Sequence, residues 1–257
     1  MESVKDKIVC ITGASSGIGA ACAEAFAREG SALILSARRM ERLENIARTL
    51  REKYHVKVHT FELDVRCQED VEKVFASLPE EWQAIDILVN NAGLSRGLDK
   101  VQDALIQDWE EMIDTNVKGL LYVSRAVLPG MVKRNRGHVI NIGSIAGRQL
   151  YPGGNVYCAS KFAVRAINQG MKMDLNGTAV RVSSVDPGLV ETEFSEVRFH
   201  GDKSRASKVY ENMRPLHGDD VAEAVLFCAT RPAHVNILEV VVLPTAQASV
   251  RDVHKAQ

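Results

Sequence analysis

A glycine-rich turn decides the fold of this chain: Thr12-Gly13-Ala14-Ser15-Ser16-Gly17-Ile18-Gly19. The turn follows a short apolar run at residues 8–12 and opens an alanine-rich stretch with helical spacing. Glycines at these positions let the backbone turn tightly and approach a pyrophosphate, and Gly19 lets the helix pack close to the strand. The free N–H groups and the dipole of the helix N-terminus favour an anion there. The turn alone leaves open an ordinary glycine-rich strand–helix connection, and the features that follow favour a dinucleotide site.

Short apolar runs alternate with longer helical patterns along the rest of the chain. Strands are predicted at 8–12, 32–37, 56–65, 85–90, 138–144, 180–185 and 236–243. Helices are predicted up to about residue 30 and at 39–53, 68–78, 102–133, 155–175 and 219–230. This order predicts an α/β fold: a single Rossmann-type, doubly wound parallel sheet of about seven strands with helices on both faces, over residues 1–257. Alternating polarity at 56–65 places that strand nearer the sheet edge.

Two segments near the C-terminal end of the chain do not follow the strand–helix order. Residues 188–215 are polar and charged and lie between a strand and a helix, so we predict a substrate lid there. The stretch Leu243-Pro244-Thr245-Ala246-Gln247 is expected to fold back towards the site.

Composition excludes several classes of function. The net charge of −1 provides no basic field for nucleic acid or for an anionic membrane surface. The seven histidines are dispersed and no His/Cys group has ligand spacing, so no metal site is expected. The five cysteines are scattered, the first residues lack a signal-peptide pattern, and there is no run of 18 apolar residues. We therefore expect a cytoplasmic protein with reduced thiols.

The end of the second strand predicts which dinucleotide is bound. A site that prefers NAD usually places a carboxylate there, against the ribose 2′-hydroxyl. This chain has Arg38 and Arg39 instead. A guanidinium can pair bidentately with a 2′-phosphate, whereas cations at a helix N-terminus are otherwise unfavourable. The cofactor is therefore predicted to be NADP(H).

Several further motifs occur in a fixed order. They are Asp64-Val65, Asn90-Asn91-Ala92-Gly93, Asn116, Ser144, Tyr157-x-x-x-Lys161 and Pro187-Gly188, after Gly13-x-x-x-Gly17-x-Gly19. With this set the chain resembles the short-chain dehydrogenase/reductases over essentially its full length. The resemblance implies cofactor contacts from Gly13, Ser15, Ser16, Gly17, Ile18, Gly19, Arg38, Arg39, Asp64, Val65, Asn91, Ala92, Gly93, Tyr157, Lys161, Pro187, Gly188, Val190 and Thr192.

The resemblance also implies a catalytic set. Tyr157 and Lys161 lie four residues apart and therefore share one helix face. A phenol with its ordinary pKa near 10 is a poor base, and a nearby ammonium stabilises the phenolate. Tyr157 would exchange a proton with the reacting oxygen, Ser144 would hydrogen-bond that oxygen, and Lys161 would also hold the ribose. Asn116 would anchor a water that relays protons. The alternative outside enzymes is a catalytically silent NADP-binding sensor. Such proteins usually lose the tyrosine or the lysine, and this chain keeps both.

Residues 143–161 and 192–199 resemble a narrower branch, which oxidises serine, allo-threonine and other 3-hydroxy acids and includes reductases of malonic semialdehyde and sulfoacetaldehyde. The substrate is thus expected to be a small anionic alcohol or aldehyde, and a broad aldehyde/ketone reductase remains an alternative. Arg198 is the candidate anion clamp, Arg148 its rival, and Tyr151 and Gln247 the further substrate contacts, with Ser144. The departures from the branch at 148–150 and at Cys158 are expected to line the pocket. The family is usually a homotetramer.

Overall fold

A computed structural model describes residues 2–256 of the chain, which form one parallel sheet with helices; Met1 and Gln257, the ends of the predicted domain, lie outside the described residues. Its strands are β1 (Ile8–Thr12), β2 (Ala32–Ala37), β3 (Val58–Glu62), β4 (Ile87–Asn90), β5 (Gly137–Ile142), β6 (Val180–Pro187) and β7 (Glu239–Val242). All neighbouring strands pair in parallel, in the order β3-β2-β1-β4-β5-β6-β7. The predicted seven-stranded, doubly wound sheet is therefore confirmed.

Helices cover both faces of the sheet, which explains why its central strands are apolar throughout. In β1, Val9 and Ile11 join one buried cluster while Cys10 joins the other, as alternating side chains of a strand must. The long helices are α1 (Gly17–Arg28), α2 (Met40–Tyr54), α3 (Gln68–Ala76), α4 (Ile106–Ile113), α5 (Leu120–Lys133), α6 (Asn155–Asp174) and α9 (Gly218–Ala229). Among the described residues, no helix is long and apolar enough to cross a membrane.

The direction of winding reverses between β1 and β4, and this reversal positions the site. The chain moves outward from β1 through β2 to β3, then returns to place β4 on the other side of β1. The connections that follow β1 and β4 therefore leave in opposite directions and open a crevice at the carboxyl ends of these strands. The glycine-rich turn after β1 and the Asn90–Gly93 motif after β4 both lie at this crevice.

Three predicted segments differ from the observed structure. The strand predicted at 56–65 ends at Glu62, because its neighbour β2 ends at the paired residue Ala37. The helix predicted at 102–133 begins at Ile106 and contains a π-helical segment at Asp114–Gly119. The predicted lid at 188–215 contains two short helices, α7 (Phe194–Arg198) and α8 (Lys203–Lys208), which its charged sequence did not indicate.

Candidate active site

The glycine-rich turn has the backbone geometry that its sequence predicts. Gly13 and Gly17 have φ values of 66° and 53°, in the left-handed region that glycine tolerates best. A side chain at Gly19 would collide with the Asn91 amide and the Gly13 carbonyl. Ser16 precedes α1 but makes no side-chain capping bond, so the first N–H groups of α1 lack a side-chain partner. The helix therefore presents backbone donors at the mouth of the crevice.

A cavity of about 540 Å³ extends from this turn along the carboxyl ends of the strands. It brings together nearly all of the residues predicted to contact cofactor or substrate. Gly19 and Asn116 do not line it, because Gly19 lies under the turn and Asn116 lies behind Gly93. The predicted residues that line it are Gly13, Ser15, Ser16, Gly17, Ile18, Arg38, Arg39, Asp64, Val65, Asn91, Ala92, Gly93, Ser144, Tyr151, Tyr157, Lys161, Pro187, Gly188, Val190, Thr192, Arg198 and Gln247.

Two arginines lie at the end of this cavity nearest β2. Arg39 donates to the Ser15 and Ser16 hydroxyls, at 3.2 Å and 2.8 Å from Nη2. Arg38 is half exposed, and its Nη1 lies 3.8 Å from a carboxylate oxygen of Glu111. Two guanidinium groups beside two hydroxyls form a set of donors suited to a phosphate.

The loops after β1 and β4 are joined by a small hydrogen-bond network. The Asn91 amide donates to the carbonyls of Thr12 and Gly13, at 2.9 Å and 3.1 Å. The Thr12 hydroxyl accepts the N–H groups of Asn91 and Ala92. At the neighbouring wall, the Asp64 carboxylate pairs with Arg66. Asn91 therefore fixes the glycine-rich turn against the wall of the cavity.

Tyr157 and Lys161 lie on the buried face of α6, as their spacing predicts. The Lys161 ammonium donates to the Ile142 carbonyl at 2.9 Å and lies 6.0 Å from the centre of the Tyr157 ring. Burial lowers the pKa of Lys161 to about 8, so the ammonium is still mostly protonated at neutral pH. Burial raises the pKa of the Tyr157 phenol, whereas the charge of Arg198 and the Ser144 hydroxyl act to lower it.

Asn116 lies in the π-helical segment, behind the cavity. Its amide oxygen accepts the Leu94 N–H at 2.8 Å, and its Nδ2 donates to the Leu94 carbonyl and the Ser160 hydroxyl. Asn116 thus ties the loop after β4 to α6, one residue before Lys161. π-Helical segments frequently occur at functional sites. The proton-relay role of Asn116 stays a prediction.

Arg198 points from α7 into the same cavity as Tyr157. It donates to the Ser95 hydroxyl from Nε at 3.1 Å and to the Tyr151 hydroxyl from Nη2 at 3.0 Å. Its Cζ lies 5.3 Å from the Tyr157 ring centre and 5.1 Å from that of Phe194. No carboxylate lies within ion-pairing distance of Arg198 among residues 2–256, so its guanidinium charge is uncompensated by an ion pair.

The structure rejects Arg148 as the rival clamp. Its guanidinium pairs with Asp186 at 2.8 Å and with Glu239, and it does not line the cavity. The expectation that residues 148–150 and Cys158 line the pocket is likewise wrong, since Cys158 is fully buried in a hydrophobic cluster behind it. The charge of Arg148 is therefore already compensated by β6 and β7.

The C-terminal stretch folds back to the cavity, as expected. Gln247 is buried there, its Oε1 accepts the Leu189 N–H at 2.8 Å, and its Nε2 donates to the Ser249 carbonyl. Gln247 therefore supports the start of the 188–215 segment, and its contact with substrate stays a prediction.

Four residues in or beside the 188–215 segment were not predicted from the sequence: Arg96, Glu193, Ser195 and Tyr210. Arg96 donates to the Val197 carbonyl at 2.6 Å and pairs with Glu111 at 2.7 Å. The Tyr210 hydroxyl donates to the Val190 carbonyl and hydrogen-bonds with Ser195. Glu193 lies between arginines at the cavity edge. These contacts join residues that are distant in sequence, and no local pattern could have indicated them.

The fold and this cavity define the class of protein: a dehydrogenase of the Rossmann type. Its nucleotide end is the glycine-rich turn at the switch point of the sheet, and its reactive end holds the buried tyrosine–lysine pair.

The chain belongs to the short chain dehydrogenase family, whose sequence profile matches residues 7–203. The NADP-dependent 3-hydroxy acid dehydrogenase YdfG of Salmonella typhi is 52% identical over 242 residues, which are 94% of this chain and 96% of that protein. Sulfoacetaldehyde reductase 2 of Chromohalobacter salexigens is 47% identical and covers 94% of this chain and 95% of the reductase. A solved structure, the closed form of serine dehydrogenase complexed with NADP+, has a TM-score of 0.91 at 49% identity, covering 97% of this chain and all of that one.

Proposed function

We propose that this chain is an NADP(H)-dependent oxidoreductase that interconverts a small anionic aldehyde and the corresponding hydroxy compound. The observation that carries this proposal is the position of Arg198. A guanidinium without a carboxylate partner within the described chain lies 5.3 Å from the ring of Tyr157, in one cavity with Ser144. A charge this close to the reacting position favours a substrate whose anionic group lies a few atoms from its carbonyl.

The residues of the cavity fit NADP(H). The start of α1 offers backbone donors for a pyrophosphate, and Arg38, Arg39 and the hydroxyls of Ser15 and Ser16 surround a position for the 2′-phosphate. When bound, the cofactor supplies or accepts the hydride. The other predicted cofactor residues that line the cavity would also contact NADP(H), and Gly19 would support the turn from below.

Proton transfer to and from the substrate would depend on Tyr157, Ser144 and Lys161. In the reductive direction Tyr157 donates its phenolic proton to the substrate oxygen, and in the oxidative direction it removes the hydroxyl proton. Ser144 hydrogen-bonds the same oxygen and fixes its position. The Lys161 ammonium, held by the Ile142 carbonyl, stabilises the phenolate that remains after proton donation. Arg198 adds a second positive charge that favours the phenolate.

Arg198 and Tyr151 would hold the anionic group of the substrate. The Tyr151 hydroxyl accepts from Arg198, so it can donate its own proton to a carboxylate or a sulfonate oxygen. Relatives named as a 3-hydroxy acid dehydrogenase and as a sulfoacetaldehyde reductase support the two anions to a similar degree, at 52% and 47% identity. A 3-hydroxy acid or its semialdehyde is the first substrate proposed, and sulfoacetaldehyde is the second.

Steady-state rates of NADPH oxidation would test this function. We expect turnover of malonic semialdehyde or of sulfoacetaldehyde, with kcat/KM at least about tenfold above that for a neutral aldehyde of similar size, because a charge-assisted hydrogen bond contributes about 1.5–3 kcal/mol. Equal kcat/KM for charged and neutral aldehydes would instead support a broad aldehyde reductase. Tight NADPH binding without turnover of any aldehyde would support a silent sensor.

The Arg38→Asp variant would test the choice of cofactor. A carboxylate at the end of β2 repels the 2′-phosphate and can accept from the 2′-hydroxyl of NADH. We expect the ratio of kcat/KM for NADPH to that for NADH to fall by about 10²-fold or more, because a favourable charge-assisted bond becomes a repulsion. Initial rates with each cofactor measure the ratio, and an unchanged ratio would remove Arg38 from the 2′-phosphate site.

Three further expectations are also part of the proposal. Residues 188–215 form the substrate lid of a single domain, since α7 places Arg198 over Tyr157. The helices α5 and α6 expose Leu121, Val132, Phe162 and Met173, which supports a homotetramer assembled through these helices. All five cysteines are free thiols, which fits a cytoplasmic protein.

A further inference from the structure

A carboxylate of the proposed lid, Glu193, forms an ion pair with Arg39 of the proposed 2′-phosphate site. Glu193 directly precedes α7 and lines the cavity. Its Oε2 lies 2.7 Å from Arg39 Nη1, and its Oε1 lies 2.5 Å from Arg42 Nη1. The hydrogen bond from Arg39 holds the pKa of Glu193 below its ordinary value, so the carboxylate is ionised at neutral pH. The lid therefore carries a negative charge to the edge of the cofactor site.

Arg39 joins two parts of the cavity through opposite sides of its guanidinium. Its Nε and Nη2 face the hydroxyls of Ser15 and Ser16 in the glycine-rich turn, at 2.8–3.3 Å. Its Nη1 faces Glu193 in the lid. A carboxylate and a phosphate are both acceptors for this planar group, and the charge of Glu193 already offsets the Arg39 charge that would attract a phosphate.

The lid and the turn are also in contact next to this arginine. A Cβ built on Gly17 would lie only 3.2 Å from the Cβ and the methyl group of Thr192, the residue before Glu193. A phosphate that enters between the turn and Arg39 must therefore lie near the Glu193 carboxylate. A phosphate and a carboxylate that lie close together repel each other, although solvent and salt weaken this repulsion at a partly exposed position.

We propose that Glu193 competes with the 2′-phosphate of NADP(H) for Arg39, so that the lid weakens NADP(H) binding and speeds cofactor release. The inference rests on the proposed NADP(H) dependence. Glu193 acts through Arg39 and is a positioning residue. The competition is expected to affect NADP(H) more than NAD(H), because NAD(H) lacks the 2′-phosphate that would pair with Arg39.

The Glu193→Gln variant tests this competition, because it removes the charge and keeps the size of the side chain. Glu196→Gln is the matched control: Glu196 lies in α7, three residues after Glu193, faces Lys203 at 3.9 Å and does not line the cavity. Dissociation constants for NADPH and NADH would be measured by fluorescence titration of the purified full chain. We expect Glu193→Gln to tighten NADPH binding by about two- to fivefold, the range of a partly exposed charge interaction, with NADH binding nearly unchanged.

Two further readouts separate competition from a structural role. Stopped-flow displacement should show slower NADPH release from Glu193→Gln, and the difference from wild type should shrink as salt rises. Weaker NADPH binding, an equal change for NADH, or the same tightening in Glu196→Gln would overturn the inference. If wild type bound NADPH no better than NADH, the proposed cofactor itself would be wrong. If wild type preferred NADPH and Glu193→Gln kept the same preference, only the inference would fail.

Discussion

Tyr157→Phe is expected to lower kcat by about 10²- to 10⁴-fold, the range of a positioned general acid or base. The phenylalanine ring can keep the packing of Tyr157 against Phe194, whose ring centre lies 5.6 Å away. Only the hydroxyl is lost, and with it the group placed to give its proton to the substrate oxygen. Initial rates of NADPH oxidation with the preferred aldehyde would measure the effect.

Cofactor affinity provides the control for this variant. The Tyr157 hydroxyl is proposed to act on the substrate oxygen, so fluorescence titration should give a nearly unchanged NADPH dissociation constant. A variant that binds NADPH normally but has lost turnover would place the defect in the chemical step. Turnover at the wild-type rate would show that another group supplies the proton, and the proposed mechanism would be wrong.

Arg198→Ala is expected to raise KM for an anionic aldehyde by about 10- to 100-fold, because charge-assisted hydrogen bonds contribute about 1.5–3 kcal/mol. The variant leaves the Tyr151 hydroxyl and removes the guanidinium that contacts it at 3.0 Å. KM for a neutral aldehyde of the same length should change much less. Steady-state kinetics with the two aldehydes at saturating NADPH would measure the difference.

Arg205→Ala is the matched control for a lid arginine. Arg205 lies in α8, stacks over Phe199 at 4.4 Å and does not line the cavity. Its removal should alter KM for charged and neutral aldehydes to the same small extent. If Arg198→Ala affected the two aldehydes equally, Arg198 would be a residue of the lid structure and the anion would bind elsewhere.

Patterns of residues that are close in sequence predicted most of the cofactor site. The apolar runs, the glycine-rich turn and the paired Arg38 and Arg39 each depend on residues that are close in sequence. The same is true of Tyr157 and Lys161, because a spacing of four residues places both on one helix face. These patterns predicted the parallel sheet, and nearly all of the residues predicted to contact cofactor or substrate line the cavity. The helices α7 and α8 were missed because they are short and charged.

The roles of charged side chains could not be predicted from local patterns, because these roles depend on which distant residues the fold places beside them. The sequence favoured Arg198 as the anion clamp and left Arg148 open as its rival. Tertiary structure gives Arg148 two carboxylate partners from β6 and β7 and leaves Arg198 beside Tyr157. The sequence by itself determined the fold class and the shared helix face of Tyr157 and Lys161 through regular spacing, and the cofactor turn through its glycines. Only the tertiary structure decided which arginine is available for an anion and that Glu193 meets Arg39, because ion pairing depends on distances in space.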